Sequence, residues 1–235
     1  MGIKILIKIV EFLPEAITKK IASKIVNRII KKYAKIHVEG YENLEAVERP
    51  ILFVCNHLSN ADGLVLNKVL KEEDVTFVSG VKLSDNGFTN FGAITVKTTP
   101  IVPNSADNDG LKNIIKILKG GENVLIFPEG TRSRCGSMIE GKKGVLVIQR
   151  LSKASIVPLG ITGTEKLLPI NDKDMGKEKF QYADVNVKIG KMIQMPEKKA
   201  DESKEEYEER KLHTLMTGIA ALLPEEYRGV YSDSI

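Results

Sequence analysis

The 235-residue chain is 42% hydrophobic and 28% charged, so it can bury one core and fits a single large domain better than two small ones. Its net charge of +4 is modest for this length, so the total charge alone says little about partners. We expect no nucleic-acid partner. The two cysteines, Cys55 and Cys135, match no metal-ligand spacing and give no disulfide framework, which suits a reducing cytoplasmic compartment.

Positive charge is concentrated at the amino-terminal end, where residues 1–35 contain nine Lys or Arg and only two Glu. The first apolar stretch, Ile3 to Leu13, is interrupted by charges and is too short to cross a bilayer, and no secretory cleavage site is expected after it. From Pro14 onward, apolar residues recur every four positions between basic ones, namely at Ile17, Ile21, Ile25, Ile29 and Tyr33. Residues 1–35 are therefore predicted to form basic amphipathic helices on an anionic membrane surface. The alternative is that the same apolar stripe packs on the core of the domain.

The central part of the chain alternates short β-rich runs with helical stretches, which predicts an α/β sheet with helices on its faces. The predicted strands are 51–55, 75–79, 124–127, 156–162 and 185–189, and the predicted helices are 61–71, 110–118 and 145–151. The apolar runs 51–55 and 124–127 are typical of central parallel strands that are buried on both faces. Active sites in such sheets form at the loops after the carboxyl ends of the strands.

The carboxyl-terminal part changes from a stretch of mixed charge, 197–211, to an apolar stretch, 212–223. This change predicts a solvated helix followed by a packed one that ends at Pro224. We interpret His213, beside apolar neighbours on that helix, and His37, on a short strand, as structural residues.

The loop after the strand 51–55 carries the first polar motif, Asn56-His57-x-Ser59-x-x-Asp62. His57 projects from the end of the strand, and Asp62 falls in the first turn of the next helix. The carboxylate can accept a hydrogen bond from one imidazole nitrogen, which leaves the other to take a proton from a substrate alcohol. The alternative is that His57 is a loop histidine without a catalytic role, beside a carboxylate at the start of a helix.

The loop after the strand 124–127 carries the second polar motif, Phe127-Pro128-Glu129-Gly130-Thr131-Arg132-Ser133. Gly130 permits a close approach of backbone amides to a ligand, and a guanidinium fork such as that of Arg132 matches phosphate oxygens. The alternative is a turn in which Glu129 and Arg132 pair with each other.

Taken in order and spacing, these motifs resemble those of the glycerolipid acyltransferase family, over about residues 36–195. Bacterial members of that family acylate 1-acylglycerol 3-phosphate to make phosphatidic acid in phospholipid biosynthesis. A later block, Ile156-Val157-Pro158-Leu159-Gly160, and the run Lys142-Lys143-Gly144 before a helix are also similar to the family pattern.

The resemblance implies that His57 is the general base and Asp62 its partner, and that Glu129, Gly130, Thr131 and Arg132 surround the acceptor. It implies a single α/β domain over 36–235, with a mixed, mostly parallel sheet flanked by helices and an apolar channel for the acyl chain. The implied donor is a thioester of coenzyme A or of acyl carrier protein, and no metal or cofactor is needed. The implied location is the cytoplasmic face of a membrane, with peripheral or monotopic attachment.

One block departs from the family pattern. Family members usually carry an arginine before the second helix, where it is thought to hold the acceptor phosphate, but residues 96–107 contain none. Pro103 or Asn104 stands near the expected place, and Lys97 is a possible substitute. The departure leaves two alternatives open: acyl transfer to another lysolipid or glycolipid, and a noncatalytic protein that binds lipid surfaces.

Overall fold

The computed structural model describes residues 14–80, 94–102, 107–171 and 178–235. Within these ranges the chain forms six α-helices: α1 (Glu15–Tyr33), α2 (Ala61–Val69), α3 (Asn108–Lys119), α4 (Gly144–Ser152), α5 (Thr164–Leu167) and α6 (Lys204–Ala220). It forms seven strands: β1 (Ala34–Glu39), β2 (Ile51–Cys55), β3 (Thr76–Gly80), β4 (Thr98–Ile101), β5 (Val124–Ile126), β6 (Ser155–Thr162) and β7 (Ala183–Ile189). Short 3₁₀ turns lie at Tyr41–Leu44, Lys71–Glu73, Glu225–Tyr227 and Gly229–Ser234.

The strands form one sheet in the order β1-β7-β6-β2-β5-β3-β4. All neighbouring strands run parallel except β6 and β7, which are antiparallel. A mixed, mostly parallel sheet flanked by helices confirms the predicted fold class. Because β2 and β5 are parallel neighbours, the loops that follow them leave the sheet at the same edge.

Side chains on the two faces of the sheet pack into two apolar clusters. Alternate residues of β2 divide between them, since Phe53 faces the side of α1 and α2 whereas Leu52 and Val54 face the side of α3, α4 and α6. Every residue of β2 is buried, as the continuous apolar run predicts. Strand β2 is thus packed on both faces, so the residues that follow it begin from a fixed position.

Helix α1 packs on the core through one face. Ala22, Val26 and Ile30 are buried in the first cluster, whereas Ile17 is 46% exposed. The buried stripe is displaced by one residue from the predicted one, of which Ile21, Ile25 and Tyr33 are partly buried against the same cluster. This face of α1 therefore packs on the core of the domain, as the alternative proposes. Membrane docking of residues 1–35 and a domain boundary after residue 35 stay predictions. Residues 1–13 lie outside the described part of the chain.

The helices of the described residues include none with the length and apolar content that a bilayer-spanning segment requires.

Strand β4 is absent from the sequence prediction. It is four residues long and contains Pro100, which has no amide hydrogen to donate to a neighbouring strand. The proline is tolerated because β4 lies at the edge of the sheet that the described strands form, where β3 alone pairs with it.

The predicted pair of carboxyl-terminal helices is wrong, because one continuous helix, α6, spans the change from charged to apolar residues. It begins at Lys204, since the Ser203 hydroxyl accepts the amide of Glu206 at 3.1 Å and the Glu206 carboxylate accepts the amide of Ser203 at 2.8 Å. This reciprocal capping box fixes the start of the helix. Residues 197–202 precede it and are not helical.

The last residues return to the loop that precedes α4. The amide of Met138 donates to the Tyr227 carbonyl at 2.9 Å, and the amide of Gly141 donates to the Tyr231 hydroxyl at 3.1 Å. His213 on α6 lies 3.1 Å from the Ser234 hydroxyl, in agreement with a structural role. This tail holds residues 138–141 against the body of the domain.

Candidate active site

His57 and Asp62 form a hydrogen-bonded pair at the carboxyl edge of the sheet. His57 Nδ1 lies 2.7 Å from Asp62 Oδ2, and the same oxygen accepts the amides of Leu58 and Ser59 at 2.7 and 2.9 Å. Because the carboxylate can only accept, Nδ1 carries the proton and the lone pair is on Nε2. Asp62 is fully buried, and no partner for its other oxygen lies within the described residues. Its charge is thus placed to stabilise an imidazolium at His57.

Both the ring and the backbone of His57 are fixed by neighbouring groups. The imidazole stacks on Phe127, with ring centroids 4.0 Å apart and planes 12° from parallel. The backbone amide donates to Glu129 Oε1 at 2.9 Å, and the carbonyl accepts the amide of Ser133 at 2.8 Å. The side chain is 20% exposed, which leaves one edge of the ring open to a ligand.

Glu129 is a buried support of this arrangement. Its two carboxylate oxygens accept the backbone amides of His57 and, at 3.0 Å, of Ile139, and none of its surface is exposed. Burial raises the pKa of Glu129 to about 7, the two amide hydrogen bonds oppose that rise, and the nearby charge of Asp62 adds to it. The carboxylate lies behind the wall of the site, so direct contact with an acceptor stays a prediction for this residue.

The other three residues predicted to surround the acceptor, Gly130, Thr131 and Arg132, line the cavity together with His57. The backbone of Gly130 is left-handed, with φ at 71°, a conformation that glycine adopts without strain.

Arg132 pairs with Glu178 and not with Glu129, with 3.3 Å between Arg132 Nη1 and Glu178 Oε1. The alternative of an internal Glu129–Arg132 pair is therefore wrong, because both oxygens of Glu129 are held by backbone amides.

Sequence reasoning missed Glu178. Its side chain is 3% exposed, it lines the cavity, and it accepts a hydrogen bond from Asn60 at 2.8 Å as well as the contact from Arg132. It lies 118 residues from Asn60 and 46 from Arg132, in no motif. No pattern in the sequence indicates that contact.

The cavity has a volume of about 550 Å³, within the range of small-molecule sites. His57 lies at a polar end that also contains Asn60, Thr131, Arg132, Lys142 and Glu178. The rest of its wall is mostly apolar and comes from both faces of the sheet: Leu64, Phe77, Val78, Val96, Ile101, Leu111, Ile126, Val145, Ile148 and Leu168. The arrangement suits a ligand that has a polar group at one end and a hydrocarbon chain.

Lys97 does not replace the arginine that is absent from residues 96–107. It precedes β4, and its ammonium lies 3.1 Å from Asp74 and 2.8 Å from Glu122, which precede β3 and β5. Since β3, β4 and β5 run parallel to β2, this cluster lies at the amino-terminal edge of the sheet, opposite His57. The substitute hypothesis is thus wrong. Pro103 and Asn104 lie outside the described residues.

The sequence profile of the acyltransferase family matches residues 35–162, which include both motifs. The chloroplastic 1-acyl-sn-glycerol-3-phosphate acyltransferase LPAT1 of Arabidopsis thaliana is 31% identical over 164 residues, covering 68% of this chain and 44% of that protein. The 1-acyl-sn-glycerol-3-phosphate acyltransferase of Bacillus subtilis (strain 168) is 25% identical over 158 residues, covering 67% and 73%. The chain spans about half the length of the plant and algal relatives.

A solved structure supports the same grouping. The crystal structure of the 1-acyl-sn-glycerophosphate (LPA) acyltransferase PlsC from Thermotoga maritima superposes with a TM-score of 0.58 at 25% identity, covering 88% of this chain and 81% of that one. The resemblance drawn from the order of the motifs is confirmed by these matches. The chain belongs to the acyltransferase family.

Proposed function

We propose that this chain is an O-acyltransferase that moves a fatty acyl group from a thioester to the 2-hydroxyl of 1-acylglycerol 3-phosphate, giving phosphatidic acid. The observation that carries the proposal is the His57–Asp62 pair at the polar end of a cavity with a mostly apolar wall. The named activities of the relatives from Arabidopsis thaliana and Bacillus subtilis support this choice of acceptor.

In the proposed reaction His57 acts as a general base. Nε2 takes the proton of the acceptor hydroxyl as its oxygen attacks the thioester carbonyl, while Nδ1 stays hydrogen-bonded to Asp62. The tetrahedral intermediate then expels the thiolate, and the proton on Nε2 passes to the departing sulfur. The acyl group goes directly to the acceptor, so the protein supplies no nucleophile, and neither a metal nor a cofactor takes part in this scheme.

The donor is proposed to be a thioester of coenzyme A or of acyl carrier protein. The apolar wall suits the hydrocarbon chain of either donor, because burial of each CH₂ contributes about 0.8 kcal/mol. Side-by-side assays with the two donors distinguish the carriers.

The first prediction is that His57→Ala lowers the rate of acyl transfer by about 10²- to 10⁴-fold, because the general base is lost. The measurement is thiol release together with formation of phosphatidic acid from an acyl thioester and 1-acylglycerol 3-phosphate. His213→Ala is the matched control, since this second histidine contacts Ser234 outside the cavity, and it should keep full activity. Intact turnover in His57→Ala would end the proposal.

A second candidate keeps the chemistry and changes the acceptor to another lysolipid or a glycolipid. It is favoured by the departure in residues 96–107 and by the position of Lys97 at the opposite edge of the sheet. A panel of lysolipids with phosphate, phosphocholine, sugar and hydroxyl headgroups separates the two enzyme proposals. A noncatalytic lipid-binding protein is the conclusion only if no acceptor on the panel is acylated, and the intact His57–Asp62 pair counts against it.

We also propose that the protein works at the cytoplasmic face of an anionic membrane, attached through its basic amino-terminal region. The support is that α1 buries one face in the core and leaves Ile17, Lys20 and Lys24 exposed on the others. Such residues suit a headgroup layer, where each basic side chain contributes about 1 kcal/mol.

The second prediction tests this attachment by charge reversal and not by deletion, since α1 also supports the core. Lys20→Glu with Lys24→Glu should weaken sedimentation with anionic liposomes by about 30-fold, which corresponds to about 2 kcal/mol. Lys198→Glu with Lys204→Glu, a matched pair of exposed lysines outside α1, should have a smaller effect. Equal losses in the two double variants would contradict docking through α1.

A further inference from the structure

Three aromatic side chains form a cluster where the end of α1 meets the segment before β7. The centroid of the Tyr33 ring lies 4.9 Å from that of Tyr182 and 6.2 Å from that of Phe180. Tyr33 and Phe180 are partly buried against the core, whereas Tyr182 is 72% exposed. The cluster therefore has a packed base and one large ring that is open to solvent.

The cluster lies at the edge of the sheet that carries His57. Ala34 and Ala183, the first residues of β1 and β7, are paired with each other. Because β7 runs antiparallel to β6, it begins at the edge where β6 and its parallel neighbour β2 end. Tyr33 and Tyr182 directly precede these two first residues. The exposed ring is thus at the same edge of the sheet as the polar end of the cavity.

Positive charge surrounds the cluster. Three exposed lysines lie within two residues of one of its aromatic members: Lys31, Lys32 and Lys179. The ammonium of Lys32 lies 4.8 Å from the centroid of the Tyr33 ring. The acid that follows the cluster on β7, Asp184, already faces Lys35 at 3.8 Å and His37 at 3.3 Å. Among the described side chains, cations therefore outnumber anions around the exposed ring.

Aromatic rings flanked by lysines suit the interface of an anionic bilayer. Tyrosine is enriched at the level of the headgroups, because its ring is apolar and its hydroxyl is polar. Lysines next to the surface are attracted to anionic lipids. The acceptor of the proposed reaction is itself a lipid, so a bilayer at this edge brings the acceptor close to the cavity.

We propose that Phe180 and Tyr182, together with Tyr33, form a second membrane contact that turns the polar end of the cavity toward an anionic bilayer. The inference rests on the proposed function, in that the acceptor reaches the cavity from a membrane. It goes beyond docking through residues 1–35, because Phe180 and Tyr182 belong to a distant part of the sequence. It predicts that Tyr182 enters the headgroup layer when the protein binds.

The test uses the absence of tryptophan from the sequence, because a single introduced indole then reports on its own surroundings. Tyr182→Trp keeps an amphipathic aromatic side chain at an exposed position. The full chain is mixed with liposomes that contain anionic and zwitterionic phospholipids. On binding, the emission of Tyr182→Trp should shift to shorter wavelength and should be quenched by phospholipids with brominated acyl chains.

Leu151→Trp is the matched control. Leu151 is also exposed, at 46%, but it lies four residues before the start of β6, which pairs with the start of β2. It is therefore at the edge of the sheet opposite His57. The emission of Leu151→Trp should stay unchanged when the liposomes are added.

A second pair of variants measures how much the exposed ring contributes to binding. Tyr182→Ser should weaken sedimentation with these liposomes by about tenfold, because the bound protein loses the apolar area that the ring would bury. Leu151→Ser removes an exposed apolar side chain at the opposite edge, and it should change binding by less than about twofold.

The inference is overturned if the protein sediments with the liposomes while the emission of Tyr182→Trp stays unchanged, or if Tyr182→Ser binds as tightly as the wild type. Equal shifts in Tyr182→Trp and Leu151→Trp would also overturn it, because they indicate adsorption without a preferred orientation. If acyl carrier protein shifts the emission of Tyr182→Trp and liposomes do not, the surface binds a protein and the inference is wrong. None of these measurements uses an acyl donor, so failure of acyl transfer alone would overturn the proposed function and leave the membrane contact in place.

Discussion

The loop after β2 with the first helical turn, residues 56–62, and the loop after β5, residues 127–134, meet at one end of the cavity, but their charged side chains differ in how far along the chain their partners lie. In the first, the decisive hydrogen bonds to Asp62 come from residues three to five positions away. In the second, Glu129 reaches His57 and Ile139, and Arg132 reaches Glu178. The carboxylate of Asp62 is therefore held by near neighbours in sequence, whereas the side chains of Glu129 and Arg132 are held by distant segments.

This difference predicts different consequences of substitution. A change at Asp62 should affect chemistry more than folding, because its hydrogen bonds stay within one short segment and one of them orients the imidazole of His57. A change at Glu129 should affect folding and its pH dependence, because the carboxylate joins two separate segments.

The largest expected effect is that of Asp62→Asn, which should lower the rate of acyl transfer by about 10²- to 10⁴-fold. The amide cannot stabilise an imidazolium as the carboxylate does, and it favours the wrong tautomer of His57. The rate is measured as thiol release, and the free energy of unfolding is measured in urea. The contrast between the two loops would be wrong if Asp62→Asn lowered the free energy of unfolding by as much as it raised the activation free energy of acyl transfer.

The next effect is the pH dependence of stability that Glu129 imposes. Its pKa is about 7 in the folded protein and 4.5 in the reference state, so between these values the folded chain binds more protons than the unfolded one. Stability from this group therefore falls as pH rises from about 4.5 to 7 and is level above that range, a change of about 3 kcal/mol. Glu129→Gln, which does not titrate, should remove this slope.

Urea unfolding of both proteins at several pH values measures the slope. Glu202→Gln is the control, because it changes an acid paired with Arg210 outside the cavity and leaves Glu129 in place, so the slope should persist. Parallel curves for the wild type and Glu129→Gln would show that the carboxylate of Glu129 titrates as an ordinary acid.

The smallest effect concerns Cys135, an exposed residue directly after the second loop. Hydrogen bonds from Ser133 and Ser137 lower the pKa of Cys135 to about 7, whereas burial raises the pKa of Cys55 well above its usual value. Alkylation of the native protein should therefore label Cys135 alone, with a midpoint near its pKa of about 7, and Cys135→Ser should abolish labelling. A midpoint near that of a free cysteine, roughly 8.5, would contradict these contacts.

Sequence patterns predict the parts of this protein that depend on near neighbours. The continuous apolar run of β2 predicts a buried central strand, and the five-residue spacing of His57 and Asp62 brings a strand end and the next helical turn together. The resemblance to the acyltransferase family adds the expectation of a mixed, mostly parallel sheet flanked by helices. Together these features predict the fold class and the position of the histidine pair.

The remaining features depend on contacts that no local pattern records. Glu178 reaches Asn60 and Arg132 only after the sheet has formed, and Lys97 finds its partners at the opposite edge. Strand β4 is short and contains a proline, so its pairing with β3 is decided by its place at the edge. In α6 a capping box sets the start of the helix, which then continues across the change from charged to apolar residues.

The pairing of β1 with β7 has a consequence for synthesis on the ribosome. Ala34 lies opposite Ala183, so the first strand has no strand neighbour in this sheet until most of the chain has been made. Closure of a contact between such distant residues is slow compared with local helix formation. Until then the edge of β1 that pairs with β7 is available to chaperones.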